Sequence, residues 1–456
     1  MSCFGGSFTV LLWRQLNKQQ GQSRGRAGTG PVEHTQVEGR EPTPAHQHWL
    51  SWRRLLIANG AFAIYATAQA VDTGDADRTW AIWAAAGYGV TTVIFWLIRR
   101  KNVPLILPML VALAGALAAP VTWLASRVAP TAEVKVISQS AVLLLHHGTP
   151  YLGGGQLENV LSYNPYLPVM ALFGMPRALG ATGLFGDPRV WLTAVSIALI
   201  FAAFSVAAPH RHCDDCRHGV LLSTVFIAAS PVIAFPLAVG ITDPPVIALM
   251  FLTLALIAKP SGLMRAAGAL GVAAAMKATA WPALPVFTAM LAARDGVRKA
   301  WRFAAATIVI AIGLAVLLAP LGLANPKTFL QNTVLFPLGL TKHKTPAASP
   351  LPGHLLADTG MAGHWAAVGL LVAAGVAFVV WLIVRPPRDT RAAAWRLAIG
   401  LTVMFTLAPA TRWGYFVYPI GLVGWLLLTR PPVMIPSIEI PAQAVGEPGL
   451  PAAARS

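Results

Sequence analysis

The sequence predicts an all-α fold, a polytopic helical bundle in a membrane. Its 456 residues are 56% hydrophobic and only 11% charged, and its mean hydropathy is +0.61. Apolar runs of roughly 15–25 residues recur along most of the chain, close to the length a crossing helix needs. An ordinary soluble domain carries about 25% charged residues, and a disordered chain lacks this apolar content. Length alone suggests about three soluble domains, a prior that the hydropathy overrides.

Residues 1–50 are polar and rich in Gly, Gln, Arg and Pro, and they predict a disordered cytoplasmic tail. The apolar patch Phe8–Trp13 within it is too short to span and has no cleavage-site pattern. Residues 51–102 then read as an N-terminal transmembrane hairpin, with apolar runs at 55–71 and 80–98. Further runs lie at 103–127, 166–182, 190–208, 219–241, 244–258, 266–279, 280–293, 303–322, 364–384, 396–411 and 414–429. A crossing helix needs about 20 residues, so the shorter runs require tilt or a thinned bilayer. Residues 431–456, rich in proline, predict a second disordered tail.

The formal charge of +17 comes from 34 Lys+Arg against 17 Asp+Glu. In a soluble protein this excess would invite a nucleic-acid reading. Here the cations cluster between apolar runs, at Arg53-Arg54, Arg99–Lys101, Arg294–Arg302, Arg385–Arg396 and Arg430. Such clusters orient helices with their cations toward the cytoplasm and call for no nucleic acid. The outer side then receives Asp72–Arg78, the loop after Arg127, Asp243, the loop 323–363 and Arg412. One conflict arises, because a spanning 166–182 would push Arg211 and Arg217 outward. Pro176 and Arg177 interrupt that run, which points to a re-entrant or interfacial piece and leaves about twelve spans.

The two long outer loops, 128–165 and 323–363, are each about 40 residues, a length usually tied to function or disorder. The first contains Ala132–His147, with Val134, Ile137, Ala141, Leu144 and Leu145 at helical spacing. Lys135, Ser138, Gln139 and His146 occupy another face. The pattern predicts an interfacial amphipathic helix, with a short transmembrane helix as the alternative.

Acids on the outer side are few enough to weigh singly: Asp72, Asp75, Asp77, Glu133, Glu158, Asp243 and Asp358. A general base for chemistry there must come from this set. Glu133 opens the amphipathic helix at the membrane–water boundary, although a carboxylate also simply favours a helix N-terminus. Asp243, followed by Pro244-Pro245, fits a helix cap as well as a site residue. Lys277 lies inside an apolar stretch, and Arg412 stands near Tyr415 and Tyr418 between the last two runs. Intramembrane cations are functional candidates by default and suit phosphate, with snorkelling as the alternative. Lys342 and Lys344 add cations to the second loop, where simple solvation would also explain them. The cluster His210, His212, Cys213, Cys216 and His218 resembles a metal site in composition. It spans so short a piece that a polar turn is the better reading, and no metal site is expected. No Gly-rich phosphate loop, catalytic-triad pattern or HExxH motif is present.

Several segments together resemble the GT-C polyprenyl-phosphate-sugar glycosyltransferases, closest to the actinobacterial alpha-mannosyltransferase-like membrane proteins. They are Glu133-Val134-Lys135-Val136-Ile137 leading to Gly148-Thr149-Pro150-Tyr151, then Tyr163-Asn164-Pro165-Tyr166 and Pro168. Thr242-Asp243-Pro244, Lys277-Ala278-Thr279, Phe336–Leu340, Ala348–Gly353 and Arg412-Trp413-Gly414-Tyr415 with Tyr418-Pro419 continue the likeness. It covers roughly residues 103–430, which makes that stretch the expected GT-C-like catalytic domain. In the family the first-loop acid is usually Asp, where this chain has Glu133.

The resemblance implies transfer of a sugar, mannose or arabinose, from a polyprenyl-phosphate donor to a glycan or glycolipid acceptor. The expected place is the outer face of the plasma membrane. Glu133 and Asp243 are the expected catalytic pair. Lys277, Arg412, Tyr415, Lys342 and Lys344 are expected to bind phosphate or substrate, and the motifs add His146 and Asn164. No cofactor is expected, with a divalent cation at the lipid phosphate as an open alternative. The expected partners are the lipid-linked donor, the acceptor and membrane lipid. The other function classes are a transporter or flippase of lipid-linked sugars, which would place ionisable groups near the midplane, and a non-catalytic membrane partner in cell-wall assembly.

Overall fold

A computed structural model describes residues 50–71, 74–99, 101, 103–208 and 214–429. The expected tails, apart from Leu50, lie outside the described residues, as do Asp72, His210, Arg211, His212, Cys213 and Arg430.

The described chain is helical. Helices α1 (Trp52–Val71) and α2 (Asp75–Ile98) pack along one another. Helix α3 (Ile106–Arg127) follows, with a π-helical turn at Ala114–Ala118. That turn sits against α2: a Cβ on Gly87 would lie 2.7 Å from the Gly115 Cα, so the two backbones touch only because both residues are glycine. Trp80 Nε1 donates to the Ala116 carbonyl at 2.8 Å.

Helix α4 (Ala132–His147) is the amphipathic helix of the first loop. Of its predicted apolar stripe, Val134, Ile137, Ala141 and Leu144 are buried, whereas Leu145 is exposed. Gly148 ends the helix in the left-handed conformation at φ 62° and donates its N–H to the Leu144 carbonyl. The run 166–182 forms no spanning helix. It is a 3-10 turn over Pro168–Gly174 and a four-residue helix over Met175–Ala178. Most of that turn is buried, and it packs onto α4.

Helix α5 (Pro188–Ala207) is followed by α6 (Asp214–Ala229) and α7 (Pro231–Val239). The run 219–241 reads as one helix in sequence, but it is bent by 58°, because Pro231 removes an N–H and clashes with the preceding turn. Then come α8 (Asp243–Ile257), α9 (Leu263–Met276), α10 (Ala283–Asp295), α11 (Val297–Leu318), α12 (Met361–Val384), α13 (Thr390–Leu407) and α14 (Val417–Leu428). Every residue of α8 except Leu252 is buried. A helix apolar on all sides belongs at the centre of a bundle, and that is its place here.

Hydrogen bonds show which helix ends share a side. At one end, Thr131 Oγ1 donates to the Val239 carbonyl at 3.0 Å, and Ser349 N donates to the Thr411 carbonyl at 2.9 Å. At the other, Arg294 Nη2 reaches the Ile257 carbonyl and Arg391 Nη1 the Leu426 carbonyl, both at 3.0 Å. Among the described residues five helices are long and apolar enough to cross a membrane: α2, α3, α5, α11 and α12. The bent α6–α7 pair makes six if it counts as one span. The expected twelve exceed this, because helices such as α8, α9 and α14 fall below the spanning length.

The two long loops interlock. Tyr163 stacks on Phe336 with ring centroids 4.5 Å apart and planes 7° apart. Asn332, on a π-helical turn of the second loop, donates to the Leu152 carbonyl and accepts from the Asn164 N–H, both at 2.9 Å.

Candidate active site

The first turn of α4 carries Glu133, with Thr131 in extended backbone ahead of the helix. One carboxylate oxygen, Oε2, accepts from Tyr166 Oη at 3.0 Å, from Thr242 N at 3.2 Å and from Thr242 Oγ1 at 3.3 Å. The other, Oε1, accepts from Arg412 Nη1 at 3.0 Å.

Thr242 occupies the short link between α7 and α8. Gly240 makes that link close to α4: its φ is 89°, and a Cβ there would lie 2.2 Å from Val134 Cγ2. Thr242 Oγ1 also accepts from Lys277 Nζ at 3.0 Å. One hydroxyl thus donates to the carboxylate and accepts from the ammonium, using both of its capacities. Lys277 stands where α9 ends, with φ −154° and ψ 140°, because the run read as continuous in sequence breaks there into extended backbone. Its Nζ is 2.6 Å from Asp243 Oδ1, and their side chains are only 11% and 2% exposed.

Tyr166 joins the two halves of this network. Its hydroxyl serves Glu133, and its ring lies 5.5 Å from Lys277 Nζ. The Tyr415 ring lies 5.7 Å from the same ammonium. Tyr166 is fixed from both sides of its backbone: its N–H donates to Asn164 Oδ1 at 3.0 Å, and its carbonyl accepts from Tyr151 Oη at 3.0 Å. Leu167 N donates to the Met276 carbonyl at 3.0 Å, tying this loop segment to the helix end that carries Lys277. Burial pushes the Tyr166 phenol well above its ordinary value, and the Glu133 charge beside it pushes the same way. It therefore stays protonated and donates.

The second loop holds Arg412 in place. Ala348 and Thr411 form an isolated parallel bridge, Trp413 N donates to Ser349 Oγ at 3.1 Å, and His354 Nδ1 lies 2.9 Å from the Pro409 carbonyl. The arrangement therefore offers two carboxylates, two cations and three phenols, Tyr166, Tyr415 and Tyr418, at one end of the bundle, with Glu133 and Arg412 partly open at 17% and 34% side-chain exposure.

Glu133, Asp243, Lys277, Arg412 and Tyr415 thus come together as a cluster. Asp243 does not take the predicted cap role: it is the first residue of α8, and its carboxylate goes to Lys277. Lys277 does not snorkel outward but is buried. Lys342 and Lys344 are exposed and take no part in the hydrogen bonds of the cluster. His146 is exposed at the far end of α4, about 20 Å along the helix from Glu133. Asn164 is buried and spends both ends of its amide on backbone, at Pro150 and Tyr166. It positions Tyr166. In the sequence Tyr166 and Thr242 stand inside motifs that assign them no role, and nothing marks Asn332. Their signal is three-dimensional, a shared bond to Glu133 or to the loop that aims Tyr166. No group of three or more His, Cys, Asp or Glu suited to a metal ion occurs among the described residues.

A family model for glycosyltransferase family 87 matches residues 164–409, more than half of the chain. The chain belongs to glycosyltransferase family 87. This makes it a glycosyltransferase with multiple membrane helices. Within the family 87 match lie Tyr166, Thr242, Asp243 and Lys277, whereas Glu133 and Arg412 flank it. Comparison with curated proteins and with solved structures gives no match.

Proposed function

We propose that this family 87 glycosyltransferase moves mannose or arabinose from a polyprenyl-phosphate donor to a glycan or glycolipid of the cell envelope. We place the reaction at the outer face of the plasma membrane and the chain near the actinobacterial alpha-mannosyltransferase-like branch. The observation that carries this reading is Thr242 Oγ1, which bonds Glu133 and Lys277 at once and so ties a carboxylate to the cation cluster.

In this reading the acceptor hydroxyl oxygen attacks the anomeric carbon while the bond from that carbon to the phosphate oxygen breaks. The hydroxyl proton passes to Glu133, and polyprenyl phosphate departs with the bonding electron pair. A general base must lie within hydrogen-bond reach of the proton it takes. Among the described residues Glu133 Oε1 accepts a hydrogen bond only from Arg412, so donor phosphate that draws the guanidinium toward itself leaves Oε1 free for the acceptor. Arg suits this exchange because its planar fork matches phosphate. Lys277 adds a fixed positive charge, and buried Asp243 holds that charge in place; Asp243 is a positioning residue here. No step is routed through a metal, because Arg412 and Lys277 supply the charge that the phosphate needs.

The topology supports the same placement. With 166–182 broken into short turns, the conflict over the Arg217 side disappears. We count twelve crossings, taking α3 as one, the α6–α7 pair as one and the short α8, α9, α10 and α14 as tilted spans, a reading in which Glu133, Asp243, Lys277 and Arg412 lie outside.

The test is transfer of labelled sugar from polyprenyl-phosphate mannose or arabinose in proteoliposomes. Wild type is expected to transfer from one of them, and Glu133→Gln to transfer about 10²–10⁴-fold more slowly. Intact transfer by Glu133→Gln overturns the base assignment, and inert wild type with both donors overturns the donor class.

A further inference from the structure

The end of the bundle opposite the site carries a second chemistry. Helix α8 starts at Asp243 and leads away from the cluster for 15 residues, about 22 Å. Its turn into α9 borders a cavity of about 380 Å³. Val206, Leu256 and Pro260 give that cavity apolar walls, and Lys259, Ser261 and Arg265 give it polar ones.

The turn is tightly built. A Cβ on Gly262 would lie 1.8 Å from the Leu256 carbonyl oxygen, and Gly262 N donates to the Lys259 carbonyl at 3.0 Å. Arg265 Nη2 donates to Ser261 Oγ at 3.3 Å, which leaves the Ser261 hydroxyl hydrogen free to donate elsewhere. The lining contains two cations and no carboxylate, and the sequence has no acid from Pro244 to Arg294. The next acid, Asp295, is committed to Arg294 at 2.7 Å. Lys259 and Arg265 therefore face a cavity whose lining, among the described residues, offers them no carboxylate.

A second cavity at the same end, about 400 Å³, also has two cations, Arg99 and Lys101. There Arg99 is held more tightly than Arg265, with Nη1 on the Trp96 carbonyl at 2.6 Å against the 3.3 Å bond of Arg265 to Ser261, and with its guanidinium 4.3 Å from the Trp96 ring. The α8–α9 turn is thus the better anion site.

We infer that the α8–α9 turn holds the phosphate of an anionic phospholipid headgroup. Lys259, Arg265 and the Ser261 hydroxyl take the phosphate, and Val206, Leu256 and Pro260 take the glycerol and upper acyl carbons. Basic pockets between membrane helices bind anionic headgroups in this way. Free phosphate shares the charge but gains nothing from the apolar wall, which favours the lipid. This inference does not depend on the donor, base or acceptor assigned above.

The experiment titrates the full chain in detergent with phosphatidylglycerol, phosphatidylcholine or inorganic phosphate and reads bound lipid by native mass spectrometry. Phosphatidylglycerol is expected to bind, phosphatidylcholine to bind far more weakly, and Lys259→Gln with Arg265→Gln to weaken phosphatidylglycerol about 30-fold, the value for two interfacial cations. A control pair, Arg298→Gln with Lys299→Gln, removes two exposed charges elsewhere and is expected to leave binding unchanged. Equal loss in the control pair overturns the site, as does no loss in the Lys259/Arg265 pair. Inorganic phosphate that binds alone and displaces the lipid overturns the lipid assignment. If the Lys259/Arg265 pair fails to fold, Ser261→Asp on the exposed turn repeats the test by adding a repelling charge; unchanged binding there overturns the site.

Discussion

Arg412–Glu133 and Arg189–Asp187 are both ion pairs near the same end of the bundle, and they differ in every respect that bears on function. Asp187 and Arg189 are two residues apart at the start of α5. Asp187 takes the Arg189 backbone N–H, Nε and Nη2 at 2.8, 3.0 and 2.8 Å, and the side chains are 6% and 1% exposed. The pair satisfies Asp187, leaves Arg189 Nη1 buried without a partner among the described residues, and braces the Gly240 link, where a Cβ would meet Arg189 Cγ at 3.0 Å. Glu133 and Arg412 are 279 residues apart and partly open, and Glu133 also serves Tyr166 and Thr242. Buried charge alone is therefore a weak sign of a site. A charge that is reachable and shared among several elements is a strong one.

The sharpest way to break this comparison is to neutralise one member of each pair. Glu133→Gln is expected to slow transfer about 10²–10⁴-fold with little loss of stability. Arg189→Met should do the reverse, costing about 3–5 kcal/mol by stranding Asp187 while transfer per folded molecule holds. Denaturation midpoints and initial rates normalised to folded protein read both. Exchange of the two outcomes would reverse the assignment of the pairs.

Next in size is the deep pair, Asp243 with Lys277. Either single change, Asp243→Asn or Lys277→Met, is expected to destabilise by about 3–5 kcal/mol, because each leaves a charge buried without its partner. Combining them should restore most of that stability, since a neutral pair has no stranded charge. Transfer should stay low in the double variant, because the fixed positive charge is gone. Recovery of transfer together with stability would reduce Lys277 to a structural role.

The sequence carried the class of fold and most of the charged site, for a physical reason. In an apolar chain every ionisable residue costs energy, so Glu133, Asp243, Lys277 and Arg412 stand out before any contact is known. The α4 stripe was legible too, because 3- and 4-residue spacing is local. Distance was not legible. His146 shares a helix and a motif with Glu133 yet lies about 20 Å away along its axis, and Lys342 and Lys344 share only a loop. The breaks at Lys277 and Pro231 were hidden inside continuous apolar runs. Tyr166, Thr242 and Asn332 were hidden because neutral hydroxyls and amides acquire meaning only from what they touch.

The smallest effects concern how Tyr166 is aimed. Tyr166→Phe removes one hydrogen bond to a charged carboxylate, worth about 1.5–3 kcal/mol, so kcat should fall roughly 10–100-fold. The ring remains over Lys277, so the donor KM should hold. Tyr151→Phe removes only the neutral bond to the Tyr166 carbonyl, about 0.5–1.5 kcal/mol, and should cost a few-fold in kcat. The phenols also set a pH expectation. A group whose folded value is raised keeps its neutral, donating form until the pH passes that raised value. Burial raises both Tyr166 and Tyr151 above the ordinary 10.0, so their contribution is present below pH 10 and lost only above it. The pH–rate profile of wild type should therefore show no alkaline limb at or below pH 10 that Tyr166→Phe abolishes. Such a limb would mean that the phenol ionises in the working enzyme and acts as more than a fixed donor to Glu133.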